Sequence, residues 1–423
     1  MSTDEMIDWA KDLFPINRSL TGDGVRQTLE YLKALNPELQ FHTVASGTPV
    51  FDWAVPQEWV VRDAYLEHVE TGQRFAEFSK SNLHLVGYSE PVDTVMELSE
   101  LKEHLFTQPD QPDWIPYVTS YYKRTWGFCL AETELTGMPE GDYQVFIESE
   151  LFDGQLIFAD AVLEGETDQE VFFSTYVCHP SMANNELSGP VLASALMRYV
   201  KERYPNPKYT YRFAFVPETI GSLTYLSQKL NHLKEKVVAG FVLSCVGDER
   251  AFSHVESRLG SSLADRAVQA ALIGKENVRT YSFLERGSDE RQYCAPGIDL
   301  PVAGFCRSKY GEYPEYHTSA DDFSVVTEQG LQGSLDVLTS IVDAFETGLF
   351  PKVQVLGEPQ LGKRGLYPTV SKKGSHSAVS TRMNLIAYSD GNHSLFDIAL
   401  RLGRPLNEIV EESTALVLHG LLR

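Results

Sequence analysis

Residues 171–177, VFFSTYV, form an apolar run of β-branched and aromatic residues with no polar alternation, the pattern of a strand buried on both faces. Pro180 ends that strand, and Ser188, Gly189 and Pro190 open a helix with Pro near its first turn. From here short apolar runs alternate with longer stretches of helical period. EVFFSTYVC leads to GPVLASALMRYVKER, YTYRFAFVPE to GSLTYLSQKLNHL, GFVLSCVG to a loop and SSLADRAVQAALI, and LPVAGFC to LQGSLDVLTSIVDAFETG. Strand–helix alternation of this kind predicts an α/β domain with a mostly parallel sheet covered by helices.

The flanks read differently. Residues 5–36 predict helix broken by FPINRSLTGDG, with Ile7, Phe14, Val25, Leu29, Leu32 and Leu35 as its apolar stripe and Thr21 and Asp23 as caps. From 39 to about 110, runs such as WVVRDAYLEHV and NLHLVGYS alternate apolar and polar positions between polar turns, which predicts a small antiparallel β module. YQVFIES and GQLIFADAVL then predict a hairpin on the edge of the main sheet. After Phe350, helices over 394–402 and 406–421, joined at Gly403-Arg404-Pro405 and opened by Ser394 with Asp397 as a capping box, predict a winged helix. The expected division is 1–38 with 112–350 as the main domain, 39–111 as an inserted β domain and 351–423 as the winged helix. There is no internal repeat.

Composition narrows the function. A chain of 423 residues implies two or three domains, and a net charge of −23 argues against broad nucleic-acid binding and docking on anionic membranes. No apolar run approaches the ~20 residues of a membrane helix, and the acidic N-terminus lacks the order of a signal peptide. Five cysteines without a CxxC pair fit reduced thiols, so a cytoplasmic location is expected. Residues 351–423 carry nine basic and six acidic side chains, against 27 and 53 in the rest. So small an excess on so acidic a body favours a lid or dimerisation module over a DNA reader, with room for a homo-oligomer.

Four strand ends carry polar residues that can converge: His179 after the first, Glu218 after the second, Ser244, Cys245 and Asp248 after the third, and His317 after the fourth. Two imidazoles and a carboxylate on one sheet edge suit a zinc hydrolase, with water on the metal and a Glu to take its proton. Each has a plainer alternative. A histidine after a strand can pack, and Glu218 can cap the next helix. Cys178 beside His179 is expected to point to the opposite face, into the core. Asp289 and Arg291 either orient substrate or pair with each other, and Tyr310, Tyr313 and Tyr316 either wall a pocket or pack.

The loops CHPSMANNELSG, VPETIGS, RGSDERQY and RSKYGEYPEYHTSADD resemble the bacterial leucyl-aminopeptidase class of zinc exopeptidases. The chain is more similar still, over nearly its whole length, to an aminopeptidase-like family with an inserted β domain and a C-terminal winged helix, whose genes lie beside polysaccharide-biosynthesis genes. The resemblance implies a three-layer zinc-exopeptidase-like sandwich, with His179 and His317 as metal ligands and Glu218 as general base. It also exposes departures. Asn185 stands where the dizinc enzymes have a bridging Asp, Thr219 where they have a second Glu, and Ser244 near their third carboxylate. Two zinc ions about 3.5–4 Å apart need carboxylates between them. One zinc is therefore expected, on His179 and His317, completed by the amide oxygen of Asn185 or by Glu186. Asp248, Asp289, Arg291 and Tyr310 are the expected substrate contacts. The implied activity is hydrolysis of a small peptide or amide. The rivals are a catalytically degenerate binding or scaffold protein and a winged-helix regulator.

Overall fold

The computed structural model describes residues 3–366 and 375–423. Its centre is an eight-stranded sheet built from β1 (Gln40–Ala45), β2 (Gln155–Leu163), β3 (Glu170–Tyr176), β4 (Thr210–Val216), β5 (Val237–Leu243), β6 (Phe252–Val255), β7 (Val278–Tyr281) and β8 (Val302–Cys306). The spatial order is β1-β2-β4-β3-β5-β8-β6-β7. β4, β3, β5 and β8 run parallel, while β1, β2 and the β6–β8 pairing are antiparallel.

β3 shows no polar alternation because both of its faces are covered. Phe173 packs with Phe213 and Phe241, ring centroids 5.2 and 5.3 Å away, under helices Ser188–Arg203 and Glu328–Gly348. Phe172 faces the other way, towards Tyr225 of helix Ile220–Lys236 and Tyr293. Neighbouring parallel strands β3 and β4 thus send their following helices to opposite faces. That divergence opens a crevice at the carboxyl ends of the strands, where open α/β sheets bind ligands.

The flanking elements differ from expectation where pairing is long-range. Gln40–Ala45, inside the segment read as the β module, is instead the edge strand of the main sheet. YQVFIES lies in Asp142–Phe152, which pairs with Glu58–His68 and Val92–Glu97 in a separate four-stranded sheet. It is joined to β2 by a tight turn but does not pair with it. An alternating strand needs one apolar partner face, and nothing local says which sheet supplies it. β6 and β7 are four-residue strands too short to stand out in the sequence. The first helical region is two helices, Thr3–Leu13 and Asp23–Leu35, and Gly22 caps the second without a side-chain bond. Thr21 bonds the Tyr88 hydroxyl at 2.6 Å and accepts from the Trp59 amide, tying this loop to the β module.

At the C-terminus, the Ser394–Asp397 capping box forms as expected at helix Leu395–Leu402. Phe396, Ile398, Ile409 and Leu416 continue the core of the main domain, and Phe396 meets Phe345 at 5.5 Å. The winged helix is docked by its apolar face. Among the described residues no helix is long and apolar enough to cross a membrane.

Asp265, on helix Leu263–Ala271, is fully buried and accepts from His254, the Ser257 amide and the Ser262 amide at 3.0, 2.8 and 2.8 Å. Burial pushes its pKa up, but these donors outweigh it and hold it at about 2, below the ordinary 3.8. A depressed carboxyl stabilises the fold above its unfolded pKa and loses that contribution as pH falls through the folded one. Urea titrations are expected to show a loss on the order of 2 kcal/mol between about pH 4 and pH 2, a slope absent from Asp265→Asn.

Candidate active site

The chain leaves β3 with the Val177 amide still bonded to Val216, passes Cys178 and reaches His179. Ala183–Leu187 then makes a π-helical turn that runs into helix Ser188–Arg203. The buried carboxylate of Asp321 holds this turn, accepting from the amides of Asn184 and Asn185 at 2.6 and 2.9 Å and from the Tyr313 hydroxyl at 2.7 Å. At Gly189 a Cβ would lie 2.2 Å from Thr175 Oγ1 and 2.7 Å from the Leu243 carbonyl. Only glycine lets the helix start so close to β3 and β5.

Three expected residues meet at the rim. The rings of His179 and His317 are 5.5 Å apart, and His179 Nε2 is 3.7 Å from Glu218 Oε2. Tyr117 packs against both imidazoles, at 5.3 and 5.1 Å, and Tyr316 stacks on His317 at 3.9 Å. The Tyr117 amide also donates to the His317 carbonyl at 2.8 Å, and Thr119, two residues on, bridges to Gly87 of the β module, so one segment links that module to the site. His317 and Thr219 have φ of 57° and 64°. Such angles are costly for these residue types and concentrate where structure is held for function.

Electrostatics separate the two imidazoles. His179 Nδ1 lies 3.0 Å from Glu186, whose other oxygen is 3.4 Å from Arg18 Nε. Arg18 is buried and also donates to the carbonyls of His179 and Leu13 at 2.9 and 2.7 Å. Burial opposes charge on His179, but Cys178, Tyr117 and Glu186 more than offset it and raise its pKa well above the imidazole value. Burial, with the charge of His179 adding to it, lowers His317 to about 3. His317 is thus neutral, and its Nε2 is buried with no hydrogen-bond partner. Burial raises the pKa of Glu218, with His179 and Arg291 opposing the rise.

The other expected residues have partners of their own to differing degrees. Asn185 Oδ1 accepts from the Tyr176 hydroxyl at 2.9 Å, and that hydroxyl is 2.6 Å from Ser244, so a closed neutral network occupies it. Glu186 stands behind His179, on the Nδ1 side. Asp248 is saturated by Asn184, the Arg250 amide and both donors of Ser308. Asp289 Oδ1 accepts from the Thr219 amide and Ser222, both at 2.8 Å, and so shapes the turn after Glu218, while its Oδ2 is buried without a partner and burial, with the charge of Glu218, pushes its pKa up to about 7. Tyr310 is buried and donates to Glu290. Arg291 remains beside the site, its Nη2 donating to Thr219 Oγ1 at 2.6 Å. Asp289 and Arg291 do not pair. Cys178 is buried as expected, yet its sulfur is 3.4 Å from His179 Nδ1, because strand alternation lapses once the chain has left β3. Burial pushes that thiol up to about 11, which keeps it protonated.

Sequence reading passed over Arg18, Tyr117, Tyr176 and Asp321. Asp321 lies in the quoted YHTSADD stretch, but Arg18 reaches His179 across 161 residues and carries no local signal.

A divalent cation fits this rim. His179, His317 and Glu218 present two imidazoles and a carboxylate to one volume, and the buried Nε2 of His317 has no hydrogen-bond partner. Such a donor set suits zinc, and a carboxylate behind the first histidine, as Glu186 is, fixes the tautomer of a metal ligand. Cys178, His179 and Glu186 also bring donor atoms within 4.8 Å of one another. Their contacts run through Nδ1, and the Cys178 sulfur already accepts the Glu218 amide at 3.2 Å, so that trio orients His179.

The fold is that of an aminopeptidase-like α/β domain carrying a winged helix. BSAP, a zinc aminopeptidase from Bacillus subtilis, superimposes with a TM-score of 0.58 at 12% identity, covering 81% of this chain and 94% of its own. The family described as a domain of unknown function (DUF4910) matches residues 7–348, a winged helix-turn-helix family matches 349–423, and the chain belongs to the former. A Clostridium acetobutylicum relative, provisionally named a polysaccharide biosynthesis protein with an aminopeptidase-like domain, is 39% identical over 427 residues, 99% of this chain and 96% of the relative. A crystal structure of a provisionally titled peptidase from the same organism has a TM-score of 0.90 at 38% identity, covering 100% of this chain and 96% of its own.

Proposed function

We propose that the protein is a hydrolase of an amide or peptide bond in a small substrate, working with one zinc ion at His179 and His317. The observation that carries this is the meeting of those imidazoles with Glu218, where a buried His317 nitrogen has no partner. Zinc, when bound there, polarises a carbonyl and acidifies water. The chain supplies the rest. Glu186 anchors Nδ1 of His179 and directs Nε2 into the rim. Glu218 takes the proton of the attacking water and returns it to the leaving amine, and burial brings its pKa closer to neutrality, as a general base needs. The Tyr176–Asn185–Ser244 network supports a single ion, because it brings hydroxyls and an amide where a second cation would need carboxylates.

The purified protein is expected to carry about one zinc per chain and to release amine from a panel of aminoacyl anilides. Chelation removes the activity, and zinc restores it. His317→Ala is expected to weaken zinc roughly a hundredfold or more by competition with a chromophoric chelator. Turnover that survives chelation would contradict the mechanism.

The neutral residues at 185, 219 and 244 favour one rival, a degenerate binding protein. Its signature is a chain that purifies without metal and gains metal and turnover through Asn185→Asp. A role for the winged helix in packing, not DNA reading, is supported by helix Leu406–Leu418, whose Ile409 and Leu416 are buried in the core shared with Glu328–Gly348.

A further inference from the structure

Arg291 sits on the short turn of helix Glu290–Tyr293, joined to the residue after Glu218 by its bond to Thr219. That is the only hydrogen bond of its side chain among the described residues. Its Nε is buried without an acceptor, and no described carboxylate comes within 4.0 Å of it. The other arginines near the rim are matched. Arg18 meets Glu186 and two carbonyls, Arg250 grips both oxygens of Glu315, and Arg307 donates to the carbonyls of Ala251 and Gly330. A guanidinium never loses its charge and carries five donors, and this half-buried one has Glu218 and Asp289 as charge neighbours beyond ion-pair distance while most of its donors stay open. Its field reaches Glu218 and the Tyr121 phenol, and Tyr121 also lines a hollow of about 290 Å³ next to Tyr88 and Tyr122.

Resting on the hydrolase reading above, we propose that Arg291 is the specificity-determining residue of this site and binds a carboxylate of the substrate, which is therefore an amide carrying a free carboxylate near the bond to be cut. A carboxylate matches one guanidinium in charge and shape. A phosphate dianion fits less well, because the Glu218 carboxylate interacts with the same guanidinium and would repel the second charge.

The test uses a pair of probes that differ only in the anionic group, hippurate and hippuramide, titrated calorimetrically into the full-length protein as purified and again after chelation. Wild type is expected to bind hippurate roughly tenfold or more tightly than hippuramide. Arg291→Gln binds the two equally, and Arg291→Lys keeps part of the preference, with circular dichroism unchanged in both. Inorganic phosphate binds more weakly than hippurate. Equal affinity for the pair, no measurable hippurate binding, a preference that persists in Arg291→Gln, or tighter binding of phosphate would each overturn the assignment. A merely structural Arg291 would instead lower kcat on alanyl-alanine and alanyl-alaninamide alike, without the selective rise in KM for the acid. Binding needs no turnover, so a protein that hydrolyses nothing yet prefers hippurate refutes the hydrolase and keeps the carboxylate site. An active hydrolase indifferent to the carboxylate does the reverse.

Discussion

Glu218→Gln is expected to fold normally and to lose roughly two to four orders of magnitude in kcat on any amide the wild type cleaves. The substitution keeps the shape of the side chain and its place 3.7 Å from His179 Nε2, but an amide cannot accept the proton of water. Two further readouts define what the carboxylate does. Zinc content near that of wild type with turnover lost marks Glu218 as the base, whereas loss of both marks it as a third ligand. The pH profile supplies the second. Burial raises this pKa above the ordinary 4.5, so the acid limb of kcat/KM in wild type is expected above that value and is absent from the variant's residual activity. Residual activity within about tenfold of wild type would remove Glu218 from the mechanism.

Arg18→Met is expected to cost about 3–5 kcal/mol of stability, measured by urea unfolding. Arg18 and Glu186 are both essentially inaccessible to water, and the arginine compensates a carboxylate that otherwise has only His179 for a partner. Removing one member leaves the other charged and buried, which is far worse than removing both. The double variant Arg18→Met with Glu186→Gln is therefore expected to recover a good part of the loss. It is not expected to recover zinc affinity, because Nδ1 of His179 has then lost its carboxylate. A single variant within 1 kcal/mol of wild type would show that Glu186 is not held as an anion.

The sequence by itself determined the layers and the strand ends. Apolar runs such as VFFSTYV must be covered on both faces, and helical stretches between them leave few topologies, so His179, Glu218 and His317 had to emerge on one edge of the sheet. The capping box at Ser394 is equally local, since cap and carboxylate are three residues apart. What only the tertiary structure decided depends on partners distant in the chain. Which sheet claims Gln40–Ala45 and Asp142–Phe152 is a question of register between strands, which an alternating pattern does not encode. Asp248 and Tyr310 carry the residue types of a binding site, yet backbone amides and side chains from other elements had already taken their hydrogen bonds. Arg291 has the same kind of side chain in the same kind of loop and was left nearly unmatched. Residue type states what a group can bind, whereas the packing of remote segments settles whether that capacity is already spent.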